Sequence, residues 1–353
     1  MAGGKKMKRK RILYIGEGPA YLGGITRKSA LLVGRLSQYY NVKKVDINVK
    51  NNKVISFGIA LLKMLYLAGR YDGIIYCLDN ERMYLMLKFQ KIFHKNSIKK
   101  TVVVYSGGSF NELIDEKYND VIKIIMNVRQ LWVEIKGINS TLVKRGYHNV
   151  VYYPNPRIIE VEKEPIPFNP QNPIRLLYYS QISKEKGILD VIEVVKILNE
   201  KYKISFSIDF YGLVKEDIKD DFNNFIQNTG NASYKGFNNA PDLDKYYGVL
   251  NSYDIMLFPT YWIGEGIAGA CVEAKISGVA IIASRHNYNA EIVDVNNCEG
   301  MIIDKGDNEC IAKQIFKLYS NPSMLNNMKK MSYESRKRFS VDEYKELYKK
   351  CFD

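Results

Sequence analysis

Two strand-like runs, Asp254 to Pro259 and Val279 to Ala283, bracket a helix-length stretch closed by Gly278. The second run has no polar alternation, which is the pattern of a strand covered on both faces, and a strand-loop-helix-strand unit of this kind belongs to a parallel sheet. Ligands bind such sheets in the crevice outside the carboxyl ends of their strands. The loop after Pro259 is therefore where chemistry is expected.

That loop and the following helix carry Glu265 and Glu273, separated by seven residues, with small residues at Gly266, Ala268 and Gly269. Small side chains let a phosphate or sugar approach the backbone N–H groups of Gly266, Ile267 and Ala268 at a helix N-terminus, where unpaired donors and the helix dipole favour negative charge. A carboxylate there repels a diphosphate. Glu265 and Glu273 fit better as acceptors for sugar and ribose hydroxyls, with Glu265 at the helix mouth and Glu273 two turns in. By itself the pair fits equally well a first-turn acid on the dipole and a solvated helix residue.

A second segment is the strand Ile174 to Ser180, a turn at Ser183-Lys184-Glu185-Lys186-Gly187 and an amphipathic helix Ile188 to Leu198. Taken together, Lys186-Gly187 and the Glu265/Glu273 pair resemble the G-R-x-x-x-x-K-G and E-x7-E elements of the retaining glycosyltransferases of family four, the glycosyl transferases group 1 type. The resemblance continues through Phe210-Tyr211-Gly212, Lys235-Gly236-Phe237, Asp254 to Thr260, Ala290-Glu291-Ile292-Val293 and, near the N-terminus, Gly23-Gly24 before a helix Ile25 to Leu36. It implies an α/β protein of GT-B fold, two Rossmann-like doubly wound domains facing a central cleft. It also implies transfer of a sugar, with retention and without a metal or cofactor, from a UDP- or GDP-sugar to a hydroxyl of a glycan or lipid-linked acceptor. Lys186 would then neutralise the leaving diphosphate, Glu265 hold the donor sugar and Glu273 the ribose. Gln181, Gly236 and Phe237 would lie on the donor side, and Gly23, Gly24, Ser106 and Gly107 on the acceptor or phosphate side. Two positions depart from the pattern: Ser180-Gln181 stand where the family has Gly-Arg, and Ser106 stands where many relatives have histidine.

The 353 residues suit two domains. Strands are expected at Ile12–Ile15, Val42–Asp46, Gly73–Cys77, Thr101–Tyr105, Leu131–Glu134 and Val150–Tyr153, making a first domain over residues 1–153 with a basic tail over 1–10. Prolines at 154, 156, 165, 167, 170 and 173 mark a linker over 154–173. A second domain follows over 174–332, and residues 333–353 form a helical segment that returns to the first domain if the family resemblance holds.

Charge is uneven: residues 1–160 hold 28 Lys and Arg against 11 Asp and Glu, residues 161–353 hold 24 against 27. The tail Lys8-Arg9-Lys10-Arg11 and the Lys91 to Lys100 region are candidates for an anionic membrane surface, a phosphorylated acceptor or nucleic acid, with a solvated face as the plain alternative. No RNA-binding aromatic signature or helix-turn-helix pattern accompanies them, so nucleic acid is the weaker partner. The longest apolar stretch, Val54 to Ala68, is interrupted by Ser56 and Lys63 and is short of the roughly 20 residues that span a bilayer. It reads as a helix with one buried face, although Leu61, Leu62, Leu65 and Leu67 on a basic domain also suit a membrane surface.

Five cysteines without a C-x-x-C pair indicate neither a disulfide framework nor a zinc site, and place the chain in a reducing cytoplasm, peripheral on the inner face of a membrane if the basic domain docks there. The one D-x-D, Asp242-Leu243-Asp244, follows Pro241 and reads as a helix cap, not a metal site. His94, His148 and His286 read as surface or loop residues. Two other classes stay open, a non-catalytic sugar-nucleotide or glycan-binding subunit and a nucleic-acid-modifying GT-B protein.

Overall fold

The computed structural model describes residues 9–17, 24–47, 53–108, 119–159, 163–238, 240 and 242–353. The chain divides into two compact units, residues 1–157 with 341–353, and residues 158–340.

The first unit is built on six strands, β1 (Arg11–Gly16), β2 (Asn41–Asp46), β3 (Gly73–Cys77), β4 (Thr101–Val104), β5 (Gln130–Val133) and β6 (Val150–Tyr152). All pair in parallel, in the order β2-β1-β3-β4-β5-β6. β3 and β4 are buried at every position, as strands covered on both faces must be. The edge strand β2 alternates instead and carries Lys43 and Lys44, charges that discourage pairing with a further strand. Helices α1 (Gly24–Leu36), α2 (Lys53–Leu67) and α3 (Asn80–Phe93) connect the first strands. The C-terminal segment, a 3₁₀ turn Val341–Tyr344 and a short helix Lys345–Lys350, completes the core of this unit: Tyr348, Cys351 and Phe352 pack with Tyr14, Trp132 and Tyr153.

The second unit has β7 (Ile174–Tyr179), β8 (Phe206–Tyr211), β9 (Ala232–Gly236), β10 (Ile255–Phe258), β11 (Ala280–Ser284) and β12 (Gly300–Ile303). They too are all parallel, in the order β12-β11-β10-β7-β8-β9. Counted from β7, this is the Rossmann order, in which the chain winds outward first on one side of β7 and then on the other. The switch point lies between β7 and β10, and the loops leaving those two strands flank it.

Several local expectations are refined. The helix after β10 runs only over Gly269–Ile276, so Glu265 lies in the loop before it and Glu273 little more than one turn inside it. Asp242 caps the helix Leu243–Asn251 by accepting the Lys245 N–H at 2.8 Å, and Asp244 pairs with Lys163 at 2.8 Å. In the basic tail, Lys8 lies outside the described residues, while Lys10 is tied to the Phe352 carbonyl and Arg11 to Asp72 and the Arg70 carbonyl. Helix α2 buries Ser56, Ala60 and Met64, yet leaves Val54, Ile55, Ile59, Leu62 and Tyr66 exposed, so it is apolar on a covered and on an uncovered face. No described helix is long and apolar enough to cross a membrane.

Candidate active site

The turn leaving β7 is shaped by one residue. Gly187 has φ +76°, and a Cβ placed on it would sit 2.0 Å from the Pro259 carbonyl oxygen. Only glycine combines that left-handed backbone with so close an approach. The turn is thereby pressed onto the end of β10, and the Tyr261 N–H donates to the Glu185 carbonyl at 2.8 Å. From below, the buried Tyr178 hydroxyl lies 2.9 Å from the Gln181 carbonyl and 3.2 Å from that of Lys186, bracing both ends of the turn. Burial, and then the nearby Glu265 and Asp190, raise the Tyr178 pKa, so the phenol stays a neutral donor.

This geometry delivers Lys186 to Glu265. The Lys186 ammonium donates to Glu265 Oε2 at 2.5 Å, and both side chains are largely withdrawn from solvent. The buried Thr260 hydroxyl donates to the same oxygen at 3.1 Å and accepts the Trp262 N–H at 3.2 Å. Among the described residues Oε1 receives no hydrogen bond. The half-exposed Trp262 ring lies 5.6 Å from the Lys186 ammonium, within range of a cation–π contact.

Two residues of the loop after β11 hold the Trp262–Glu265 loop from the other side. His286 Nε2 is 2.9 Å from the Trp262 carbonyl, and the Asn287 amide donates to the Ile263 carbonyl at 2.6 Å, with those of Trp262 and Glu265 at 3.4 Å. His286 stands in a loop, as its sequence context suggests, but is buried there against the candidate loop. Asn287 has φ +42°, a conformation that asparagine tolerates better than most residues.

Glu273 sits on the buried face of the helix Gly269–Ile276, which rules out a solvated helix residue. It accepts the Tyr246 hydroxyl at 2.6 Å, and Tyr246 in turn bonds Tyr179 at the end of β7. Of Gly266, Ile267 and Ala268, only Ala268 adjoins the helix, as its N-cap. Gly236 ends β9 with φ +70° and accepts the Gly212 N–H at 2.7 Å; Phe237 follows it exposed.

In the first unit Gly24 begins α1, whereas Gly23 lies outside the described residues. Ser106 and Gly107 follow β4. The Ser106 hydroxyl accepts from the buried Lys28 ammonium at 2.8 Å, and Lys28 is paired with the buried Glu134 at 2.6 Å. The Tyr153 ring lies 5.5 Å from the same ammonium. Ser106 is therefore oriented by a buried ion pair that sequence spacing gave no means of seeing, since Lys28 and Glu134 are 106 positions apart. Among the described residues no group of three or more His, Cys, Asp or Glu is arranged to hold a metal ion.

The family described as Glycosyl transferases group 1 matches residues 160–338, just over half of the chain. CapM, a capsular polysaccharide biosynthesis glycosyltransferase of Staphylococcus aureus, is 28% identical over 148 residues, 42% of this chain and 37% of that protein. AmsK, an amylovoran biosynthesis glycosyltransferase of Erwinia amylovora, is 26% identical over 156 residues, 41% of this chain and 36% of that protein. The matched region thus spans little more than a third of either curated relative. Among solved structures, Anabaena HepE in complex with UDP-glucose matches with a TM-score of 0.71 at 13% identity, covering 97% of this chain and 98% of that one. Sucrose-phosphate synthase from Thermosynechococcus elongatus matches with a TM-score of 0.72 at 14% identity, covering 98% of this chain and 99% of that one. These structural likenesses show a common fold, GT-B, with two Rossmann-like units. With Lys186 and Glu265 meeting at the switch point of the second unit and the family pattern extending over residues 160–338, the chain belongs to the glycosyl transferases group 1 family.

Proposed function

We propose that this chain is a retaining glycosyltransferase that moves a sugar from a UDP- or GDP-sugar to a hydroxyl of a glycan or lipid-linked acceptor. The observation that carries the reading is the Lys186–Glu265 pair at the switch point, which sets a cation and a carboxylate acceptor side by side where an α/β sheet takes its ligands. In this reading Lys186 turns to the diphosphate and neutralises charge developing on the leaving group, helped by the N–H groups around Ala268. Oε1 of Glu265 takes a sugar hydroxyl, Glu273 the ribose, and Gly236 and Phe237 the base side. Gln181 replaces a cation of the family pattern, so Lys186 carries the role of clamping the diphosphate alone.

The first unit is assigned the acceptor, with Gly23, Gly24 and Gly107 giving close backbone approach and Ser106 a hydroxyl held by Lys28. The leaving phosphate takes the acceptor proton while the hydroxyl attacks the same face of the sugar, so no protein nucleophile is assigned. Transfer without a resident metal is supported by Asp242 and Asp244, which are engaged as a helix cap and in an ion pair. The similarity to CapM and AmsK supports polysaccharide biosynthesis as the setting, and the excess of Lys and Arg in residues 1–160 supports a place at the inner face of a membrane.

The test is a screen of nucleotide sugars by thermal shift and hydrolysis, followed by transfer to glycan and lipid-linked acceptors with NMR assignment of the new anomeric centre. One donor that both stabilises the chain and turns over, with the anomeric configuration kept, is expected. Binding without turnover would make the chain a non-catalytic subunit, and an inverted product would overturn the retaining assignment.

A further inference from the structure

Helix α2 presents an exposed apolar stripe. Ile55, Ile59, Leu62 and Tyr66 follow one another at helical spacing, and Leu62 and Tyr66 are 67% and 63% exposed. The opposite side of the same helix is equally apolar and packs through Ala60 and Met64. A helix that is apolar on two faces and covered on one of them only leaves a surface that water disfavours.

The adjoining helix α3 repeats the pattern at its end, where Ile92 and Phe93 are 66% and 60% exposed. The two C-terminal ends are fastened together: His94, which closes α3, places Nε2 2.6 Å from the Leu65 carbonyl beside Tyr66. Tyr66 and Phe93 therefore mark one end of a joint helix pair.

The charged residues within these two segments are of one sign. No Asp or Glu occurs between Val54 and Tyr71, nor between Arg82 and Lys100. Lys63, Arg70, Lys91, Lys95 and Lys99 are exposed, and the Arg70 guanidinium lies 3.9 Å from the Tyr66 ring centre. Long cationic side chains lay their methylene stems along apolar surface and keep their heads in the polar layer, and aromatic rings with a polar tip settle at the same depth. An apolar stripe rimmed by cations is the form of a helix that lies in the interface of an anionic bilayer.

We infer that the outer faces of α2 and α3 are the surface by which this chain docks onto an anionic lipid bilayer, with Ile55, Ile59, Leu62, Ile92 and Phe93 entering the acyl boundary. A protein partner with an apolar groove would have to offer a matching acidic rim; a leaflet of phosphatidylglycerol supplies both at once. The inference deepens the proposal of a lipid-linked acceptor and rests on that reading for its purpose, not for its measurement.

The test is sedimentation of the full chain with phosphatidylcholine vesicles, with and without phosphatidylglycerol, at low and raised salt. Binding should favour the anionic vesicles and weaken with salt. The double variant Ile59→Ser/Leu62→Ser, which alters only exposed side chains, should lower binding about 100-fold, the scale of two apolar side chains lost from the interface. Lys63→Glu/Lys91→Glu should abolish the preference for anionic lipid. Both variants should keep wild-type binding of UDP or GDP by calorimetry. Equal sedimentation of wild type and variants, or no vesicle binding at all, would overturn the inference. So would light scattering that shows self-association abolished by the serine variant, since a second copy would then cover the face. A chain that docks as described but turns over no nucleotide sugar would overturn the enzymatic reading alone.

Discussion

Lys186 and Glu265 stand 79 residues apart in sequence and meet at 2.5 Å, each the nearest counter-charge of the other. The pair joins the loops that leave β7 and β10, so in the proposed chemistry a diphosphate competes with Glu265 for the ammonium of Lys186. Lys186→Ala is expected to lower turnover about 10²- to 10³-fold, the scale of one lost electrostatic contact to the transition state. Glu265→Ala should impair transfer but leave the affinity for free nucleoside diphosphate intact or slightly tighter, because it removes the competitor for Lys186. Single-turnover kinetics and calorimetry separate the two effects. Near-normal turnover by Lys186→Ala, or weakened diphosphate binding by Glu265→Ala, would refute these roles.

Gly187 gives a prediction that concerns geometry alone. Alanine at that position would carry its methyl group 2.0 Å from the Pro259 carbonyl oxygen in a backbone conformation with φ +76°. Relief requires the turn to withdraw from β10, taking Lys186 with it. Gly187→Ala should cost about 1–3 kcal/mol in denaturant unfolding, the range for a strained backbone position, and reduce turnover as well. Wild-type stability and turnover together would show that the turn has room the contact distance denies.

The parts of this architecture that could be read in the sequence are those with a local signature. Buried parallel strands appear as unbroken apolar runs, as in Gly73–Cys77 and Ala280–Ser284, and the alternation of such runs with helices specifies a doubly wound sheet. Lys186 and Glu265 each stand just beyond a strand, where pattern and turn residues are informative. What surrounds them has no such signature. Tyr246 reaches Glu273 across 27 residues and His286 reaches the Trp262 carbonyl across 24, contacts that exist only once the sheet has formed. The extent of the helix after β10, Gly269–Ile276, is not legible because small residues at Gly264, Gly266 and Ala268 suit a helix mouth and a loop equally well. Helix α2 shows a different limit: a helix apolar on two faces has too weak a periodicity to tell the covered face from the exposed one.

Removal of divalent metal is a separate test of the proposed chemistry. Asp242 caps a helix and Asp244 is bonded to Lys163, and the proposed chemistry gives the charge on the leaving group to Lys186. Transfer should continue in excess EDTA. Complete loss of activity, restored by Mg²⁺ or Mn²⁺, would require a metal to share the role given to Lys186.

The helix that carries Glu273 also carries Lys275, and the two side chains lead to opposite demands. Lys275 is fully buried and donates to Glu299 at 2.8 Å, while Arg338 grips both oxygens of Glu299 at 2.8 and 2.7 Å. Burial by itself would raise the Glu299 carboxyl, but the Arg338 guanidinium and the Lys275 ammonium outweigh it and hold the pKa below its ordinary 4.5. The folded chain therefore keeps this carboxylate ionised at pH values where the unfolded chain protonates it. The unfolded state binds more protons there, so stability rises with pH across that window; the contribution is present above about pH 4.5 and is lost as pH falls through the lowered value. Glu299→Gln should flatten this acid limb and, by leaving Lys275 buried opposite a neutral amide, cost about 3–5 kcal/mol at neutral pH. Lys275→Met should cost less, because Arg338 still answers the carboxylate. Urea unfolding at a series of pH values measures both. A Glu299→Gln protein within about 0.5 kcal/mol of wild type at neutral pH would mean that the triad does not anchor the helix.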